Sequence, residues 1–349
     1  MLFRSRNAPV VALGTVSVSD GGQLWIKDGT LQVADLRLSG TGNSSAPLPG
    51  TSWGYTGALV RQGSQPNSTQ AIRAGQLSLD GGATMTFRDD DAIIHGVSIG
   101  DGSTLTLDKP LVTGQITLMG SGAVATPGGN TFTTDQLFVE DGNVLSLGNN
   151  RVTSQVFVMT GGRIVGNLDL NASNAYGSRI ALSGSNPLDG NFTTAQLLLD
   201  NGADILYSGS DSITDSVEIG GTSTLRLAKD LDLRNGHAFG TVTLNGPDAT
   251  LEQNGHAVLV RRLELNGAQH TLAASDAIID SVDVSGGGAL ALDTDLTVAA
   301  SIRLSGTGNA ALVTNGHSYG TPRLELLTGS LDYRTGDSVT DSLTVRNAT

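Results

Sequence analysis

Three consecutive carboxylates, Asp89, Asp90 and Asp91, form the densest acidic cluster in the chain. Such a cluster can attract Ca²⁺, and two carboxylates in a groove can serve glycoside hydrolysis. Adjacent residues on an extended chain point to opposite sides, so the three read as a solvated corner with at most a weak pull on Ca²⁺. Histidines recur in one phrase: Asn235-Gly236-His237, Asn254-Gly255-His256 and Asn315-Gly316-His317. No cysteine or carboxylate stands at a fixed offset from them, so they read as corners and no metal ligand set is assigned. The glycine supplies a positive φ, the asparagine tolerates one, and the residue two after the histidine is expected to point inward. Trp53 and Tyr55 lie close together in a stretch that breaks the surrounding pattern. Aromatic rings can stack on a sugar face, which makes these two the candidate ligand-binding residues. No Gly-x-Ser-x-Gly, phosphate-binding loop, zinc signature or Ca²⁺-binding nonapeptide is present. No catalytic residue and no cofactor are assigned, Ca²⁺ at the aspartates being the one exception considered.

The elements that must carry these residues follow from a short repeat. Gly82, Gly102, Gly122, Gly142 and Gly162 fall 20 residues apart. An alternating apolar pair precedes each turn: Leu77/Leu79, Val97/Ile99, Ile116/Leu118, Leu137/Val139 and Val156/Val158. The series resumes from Leu197/Leu199 to Ile302/Leu304. A second pair follows the turn, as in Met85/Phe87, Leu105/Leu107, Ile205/Tyr207 and Leu290/Leu292. A third apolar position comes next, read at Ile94, Val112, Val152, Ile213, Ile278 and Val339. Period two is the strand signature, and each run is short before Gly, Asn or Asp turns the chain. One such coil cannot bury its inner face, whereas stacked coils can. The fold expected is therefore all-β: a single-stranded parallel β-helix, or β-solenoid. It is taken as right-handed, with three-sided coils of about 20 residues. At about 4.8 Å per coil, 14 to 16 coils would make a rod about 70 Å long. Sandwich domains would repeat at about 100 residues, far longer than this period.

Residues 1–14 read as an irregular lead and 15–349 as one continuous solenoid. A loop is inserted at about 43–56, and an extended corner lies at about 171–177. The insertion shows when Leu36-Arg37-Leu38-Ser39-Gly40-Thr41-Gly42 is set beside Ile302-Arg303-Leu304-Ser305-Gly306-Thr307-Gly308, which runs straight on. No polar capping unit is recognisable at either end. The end coils are thus expected to stack on another copy, or on more solenoid of a longer parent.

The net charge of −13 disfavours nucleic acid and anionic membrane as partners. No apolar run is long enough to span a membrane, and the first residues carry no secretion signal. Cysteine is absent, so no disulfide framework exists.

Phrases such as Leu231-Asp232-Leu233-Arg234-Asn235-Gly236-His237-Ala238-Phe239, followed by Val242-Thr243-Leu244-Asn245-Gly246, resemble the repeats of large bacterial secreted proteins. Autotransporter passengers and filamentous-haemagglutinin-like adhesins are the families meant, and the resemblance covers the chain from about residue 15. It implies an exported, non-catalytic rod at the bacterial surface: adhesive, a spacer or a filament subunit, with glycans or a host surface as contacts. Neither a C-terminal membrane barrel nor an N-terminal secretion domain of those families is recognised. Parallel β-helices also host pectin lyases, polygalacturonases and phage tailspike glycosidases, but the hallmark blocks of those enzymes are missing. The alternative carried forward is a carbohydrate-binding or carbohydrate-active β-helix of a phage tail fibre or spike, acting as a polysaccharide hydrolase or lyase.

Overall fold

The structure is a computed structural model. It describes residues 2–3, 10–19, 24–26, 29–40, 59–61, 70–125, 129–140, 142–159, 161–170, 178–185, 187–235, 240–329, 331 and 333–346. Among these there is no α-helix. The chain is a β-solenoid of about 14 coils. It divides into two compact units, Met1–Gly166 and Asn167–Thr349.

Most coils contribute one short strand and one long one; in others the long strand is split in two, as in Leu231–Asp232 and Thr241–Asn245. In the first unit Thr104–Leu107 is short and Leu111–Leu118 is long. Along the long strand Leu111 and Thr113 face inward, the alternation lapses at Gly114-Gln115, and Ile116 and Leu118 face inward again. That lapse is a corner, so two sides of the three-sided coil belong to one bent strand. Coils pair in parallel and in register. Leu36, Leu77, Val97, Ile116, Leu137 and Val156 stack as one inward column of the first unit. Ile180, Leu197, Val217, Val242, Leu263, Val282, Ile302 and Leu324 form the matching column of the second. All of these side chains are buried, and each contributes about 1.5–3 kcal/mol. One coil offers too few of them to offset the ordering of about 20 residues; neighbours in register supply the rest.

The turns are as tight as the glycine series suggests. A Cβ on Gly122 would lie 2.2 Å from the Ile99 carbonyl oxygen, and one on Gly162 would lie 2.4 Å from that of Val139. No side chain fits at either corner.

Two readings need correction. Ile94 and Val112 point outward, 62% and 73% exposed; Ile93 and Leu111 take the inward places. Each inward residue has an apolar neighbour, so period two could not choose between the frames. Nor is the lead wholly irregular: Leu2–Phe3 and Val10–Val18 are strands, the latter pairing with Gly29–Ser39. Val10-Val11-Ala12-Leu13 has no alternation, which hid its beginning. The insertion at 43–56 and the extended corner at 171–177 lie outside the described residues.

Above the single coil stands a longer period. A register shift breaks the long-strand ladder at Ala74/Gln76 and Thr134/Gln136 in the first unit. It does so again at Thr194/Gln196, Val260/Arg262 and Thr321/Arg323 in the second. The intervals are 60, 60, 66 and 61 residues, three coils each. Where the inward residue is threonine, its hydroxyl donates to the carbonyl two residues on: Thr134 to Gln136, Thr194 to Gln196 and Thr321 to Arg323, at 2.9–3.0 Å. A buried hydroxyl is thereby satisfied within its own bulge.

Candidate functional site

The three aspartates separate into different environments. Asp91 is buried, and its carboxylate accepts two backbone N–H bonds. One is from Ile72 on the preceding coil at 2.8 Å; the other is from Arg88 in its own turn at 2.9 Å. Its oxygens staple coil to coil, so Asp91 is not the free Ca²⁺ ligand that the acidic triplet suggested. Asp89 and Asp90 are exposed. They rim a concavity of about 460 Å³ together with Gln32, Arg73 and Ile94. The Lys109 ammonium donates to the Asp89 backbone carbonyl and lies 4.9 Å from the centre of the Phe87 ring.

The staple recurs with the three-coil period. Asp211 accepts from the N–H groups of Phe192 at 2.9 Å and Ser208 at 2.7 Å. Asp276 accepts from Val258 at 2.8 Å and Ala273 at 2.7 Å, and Asp337 from Tyr319 at 3.0 Å and Arg334 at 2.6 Å. In the remaining copy the residue is Asn150, whose single side-chain oxygen accepts from Phe132 at 2.8 Å. The lysine recurs too: Lys229 donates to the carbonyls of Gly209 and Asp211 and lies 4.5 Å from the centre of the Tyr207 ring. Apart from that of Asn150, these hydrogen bonds involve an ionised group and are about twice as strong as neutral ones. They satisfy main-chain donors at a corner, where the ladder has ended.

No protein-family model, curated protein or solved structure matches the chain.

The histidine corners are built on the same plan. Asn254 and Asn315 take positive φ of 51° and 50°, and their glycines follow at 85° and 94°. Val258 and Tyr319, two after each histidine, are buried as expected. A carboxylate stands beside His256 and His317, at no fixed offset in the sequence, and His237 lies outside the described residues. The Nδ1 atoms of His256 and His317 lie 3.6 Å from Asp230 and Asp295. Each aspartate also accepts the N–H of the residue after the histidine, Ala257 at 2.9 Å and Ser318 at 2.8 Å. The Ser318 N–H is the main reason the Asp295 carboxyl is held below the usual range. Aspartate and N–H donor are 27 residues apart in one corner and 23 in the other, which concealed the pairing. One imidazole and one carboxylate make an exposed pair, fewer ligands than a metal site requires. Among the described residues no three His, Cys, Asp or Glu side chains converge to hold a metal. Trp53 and Tyr55 lie outside the described residues.

Corner residues such as Val258 therefore sit in a three-coil clamp. Asp230 on one side holds Ala257 and Asp276 on the other holds Val258; Asp295 and Asp337 do the same for Ser318 and Tyr319. Asn167 and Asp211 hold Asn191 and Phe192.

Proposed function

We propose that this chain is a non-catalytic, extracellular structural and adhesive β-solenoid of a bacterial surface protein, a spacer that presents side chains and loops on a stiff scaffold. The observation that carries the reading is where the carboxylates go. Asp91, Asp211, Asp276 and Asp337 each accept one main-chain N–H bond from the preceding coil and one from their own turn. Acids used in this way are held by the main chain and stiffen a scaffold. The partners proposed are glycans or a host surface on the outward faces, and more solenoid on the stacking edge. Leu343 and Val345 stand in register with Leu324 and Leu326, yet are 57% and 52% exposed. A further coil in register, from another copy or from the parent protein, would cover them.

One feature favours the second reading, a carbohydrate-active β-helix. Asp89, Asp90 and Arg73 share one concavity.

The two readings separate in one experiment. The chain is incubated with a polysaccharide panel and assayed for reducing ends, and is printed against a glycan array with Trp53→Ala and Tyr55→Ala beside it. Binding without turnover, lost in the aromatic variants, is expected. Turnover that disappears in Asp89→Asn or Asp90→Asn would replace the scaffold reading with the enzymatic one.

A further inference from the structure

Corresponding short strands in three successive repeats begin their inward face with Met85, Leu145 and Ile205. In the next repeat the same place is taken by His270, within Gln269–Leu272. All four are buried, His270 at 8% exposure. His270 stands in register with Leu290 of the following coil, and Ala268 and Leu272 flank it on the inward face.

The charged groups around it are few. The neighbouring strand Ala289–Leu292 has no titratable residue. Strand Thr250–Glu252, on the other side, brings Glu252, an exposed carboxylate 3.4 Å from Arg226. The turn that follows His270 brings Asp276, whose field acts on the imidazole. Asp276 is already engaged, accepting from Val258, Ala273 and the Gln253 side-chain amide at 2.6–2.8 Å.

We propose that His270 is an acid-operated latch: its protonation loosens the repeat that contains it at the seam held by Asp276, while the repeats with Met85 and Ile205 in that place stay closed. A neutral imidazole is tolerated in an aliphatic column, whereas an imidazolium there is a buried cation. Any movement of Asp276 toward that cation strains its bonds to the N–H groups of Val258 and Ala273. Burial pushes the His270 pKa down, and Asp276 pulls it only partly back. A closed repeat that prefers the neutral form is at full stability above the ordinary histidine pKa of about 6.5 and loses stability as the pH falls below it. Because each coil of a solenoid leans only on its neighbours, the opening stays local.

Hydrogen exchange of the full chain at pH 7.5 and 5.0, corrected for intrinsic rates, tests this. Amides of Val258–Asn266 and Gln269–Leu272 should lose protection below about pH 6.5, by at most about tenfold per pH unit, with Thr84–Phe87 and Asp204–Tyr207 unchanged. His270→Leu and His270→Met, which install residues native to this place in other repeats, should keep protection at both values. His317→Gln, at a half-buried corner histidine, should retain the wild-type response. The latch is overturned if protection does not fall, if it falls equally in the other two strands, or if it still falls in both His270 variants.

Discussion

Two outward columns occupy the same place in their coils and differ in charge. In the first unit, Ser17, Arg37, Ser78, Ser98, Thr117, Phe138 and Phe157 stack in register, and only Arg37 is charged. In the second, Ala181, Leu198, Glu218, Thr243, Glu264, Asp283, Arg303 and Glu325 do so, five of the eight charged. The residues on either side of every one of these are buried aliphatics of the inward columns. The comparison separates two sets of constraints. Inward columns and corner staples set the coil and recur in both units. The outward columns are free of that duty, and there the units diverge. Whatever this chain recognises is expected on such outward positions.

The largest expected effect tests the claim that the staples are obligatory. Asp211→Ala removes two charge-assisted bonds and leaves two N–H groups at a buried corner without an acceptor, a cost of about 3 kcal/mol. Asn150→Ala removes one neutral bond and should cost about 1 kcal/mol. Denaturant midpoints of the two variants measure the difference. Equal losses would mean that the second carboxylate oxygen contributes nothing, and the staple would reduce to an ordinary turn.

The next effect has the opposite sign. Tyr319 takes the inward place that Phe132 and Phe192 hold in earlier repeats, and its hydroxyl is buried without a hydrogen-bond partner. Burial also drives its phenol pKa well above the usual value. Tyr319→Phe should therefore stabilise by about 1 kcal/mol while keeping the edge-on contact with the Tyr333 ring at 6.3 Å. A lower midpoint would show that the hydroxyl has found a partner after all.

These staples also mark the limit of what the sequence discloses. The inward pairs from Leu77/Leu79 to Ile302/Leu304 were legible, because alternation between turns leaves a local pattern. Asp91 was not, because its partners are main-chain N–H groups, one of them 19 residues away, and a backbone donor has no side-chain signature. The signal that could have revealed it is the recurrence of Asp91, Asn150, Asp211, Asp276 and Asp337, each two residues before Ile93, Val152, Ile213, Ile278 and Val339. A search tuned to 20 residues passes over a period three times as long. His270 escaped for a related reason: it stands out only against Met85, Leu145 and Ile205, once that longer period is known.

On the outward faces the expected effects shrink. Phe138 and Phe157 are stacked at 4.6 Å between centroids and 9° between planes. Such a pair contributes about 0.5–1.5 kcal/mol beyond its burial. A double-mutant cycle of Phe138→Ala and Phe157→Ala should recover a coupling in that range. A vanishing coupling would leave the two rings without any interaction of their own, free for a ligand at no cost in stability.

The smallest effect bears on the charged column. Asp283 stands between Glu264 and Arg303, and burial raises its pKa most; Arg303 lowers it, while Glu264 and Glu325 add to the rise. A carboxyl whose pKa is higher when folded gives its full stabilisation below the unfolded value of about 3.9 and loses it as the pH rises through the folded value. At neutral pH its charge therefore opposes folding, and the 3.7 Å approach of Arg303 does not offset that. The side chain is partly exposed, so solvent screening reduces the effect to a few tenths of a kcal/mol. Asp283→Asn should stabilise the chain at pH 7, with the gain fading as the pH approaches 4. Thr117→Asn, at the same place in the first unit's column, should give a midpoint shift that does not vary with pH. A gain at Asp283 that persists at pH 4 would point to packing of the amide instead. The outward column would then count among the constraints on the fold, and the contrast between the two units would lose its meaning.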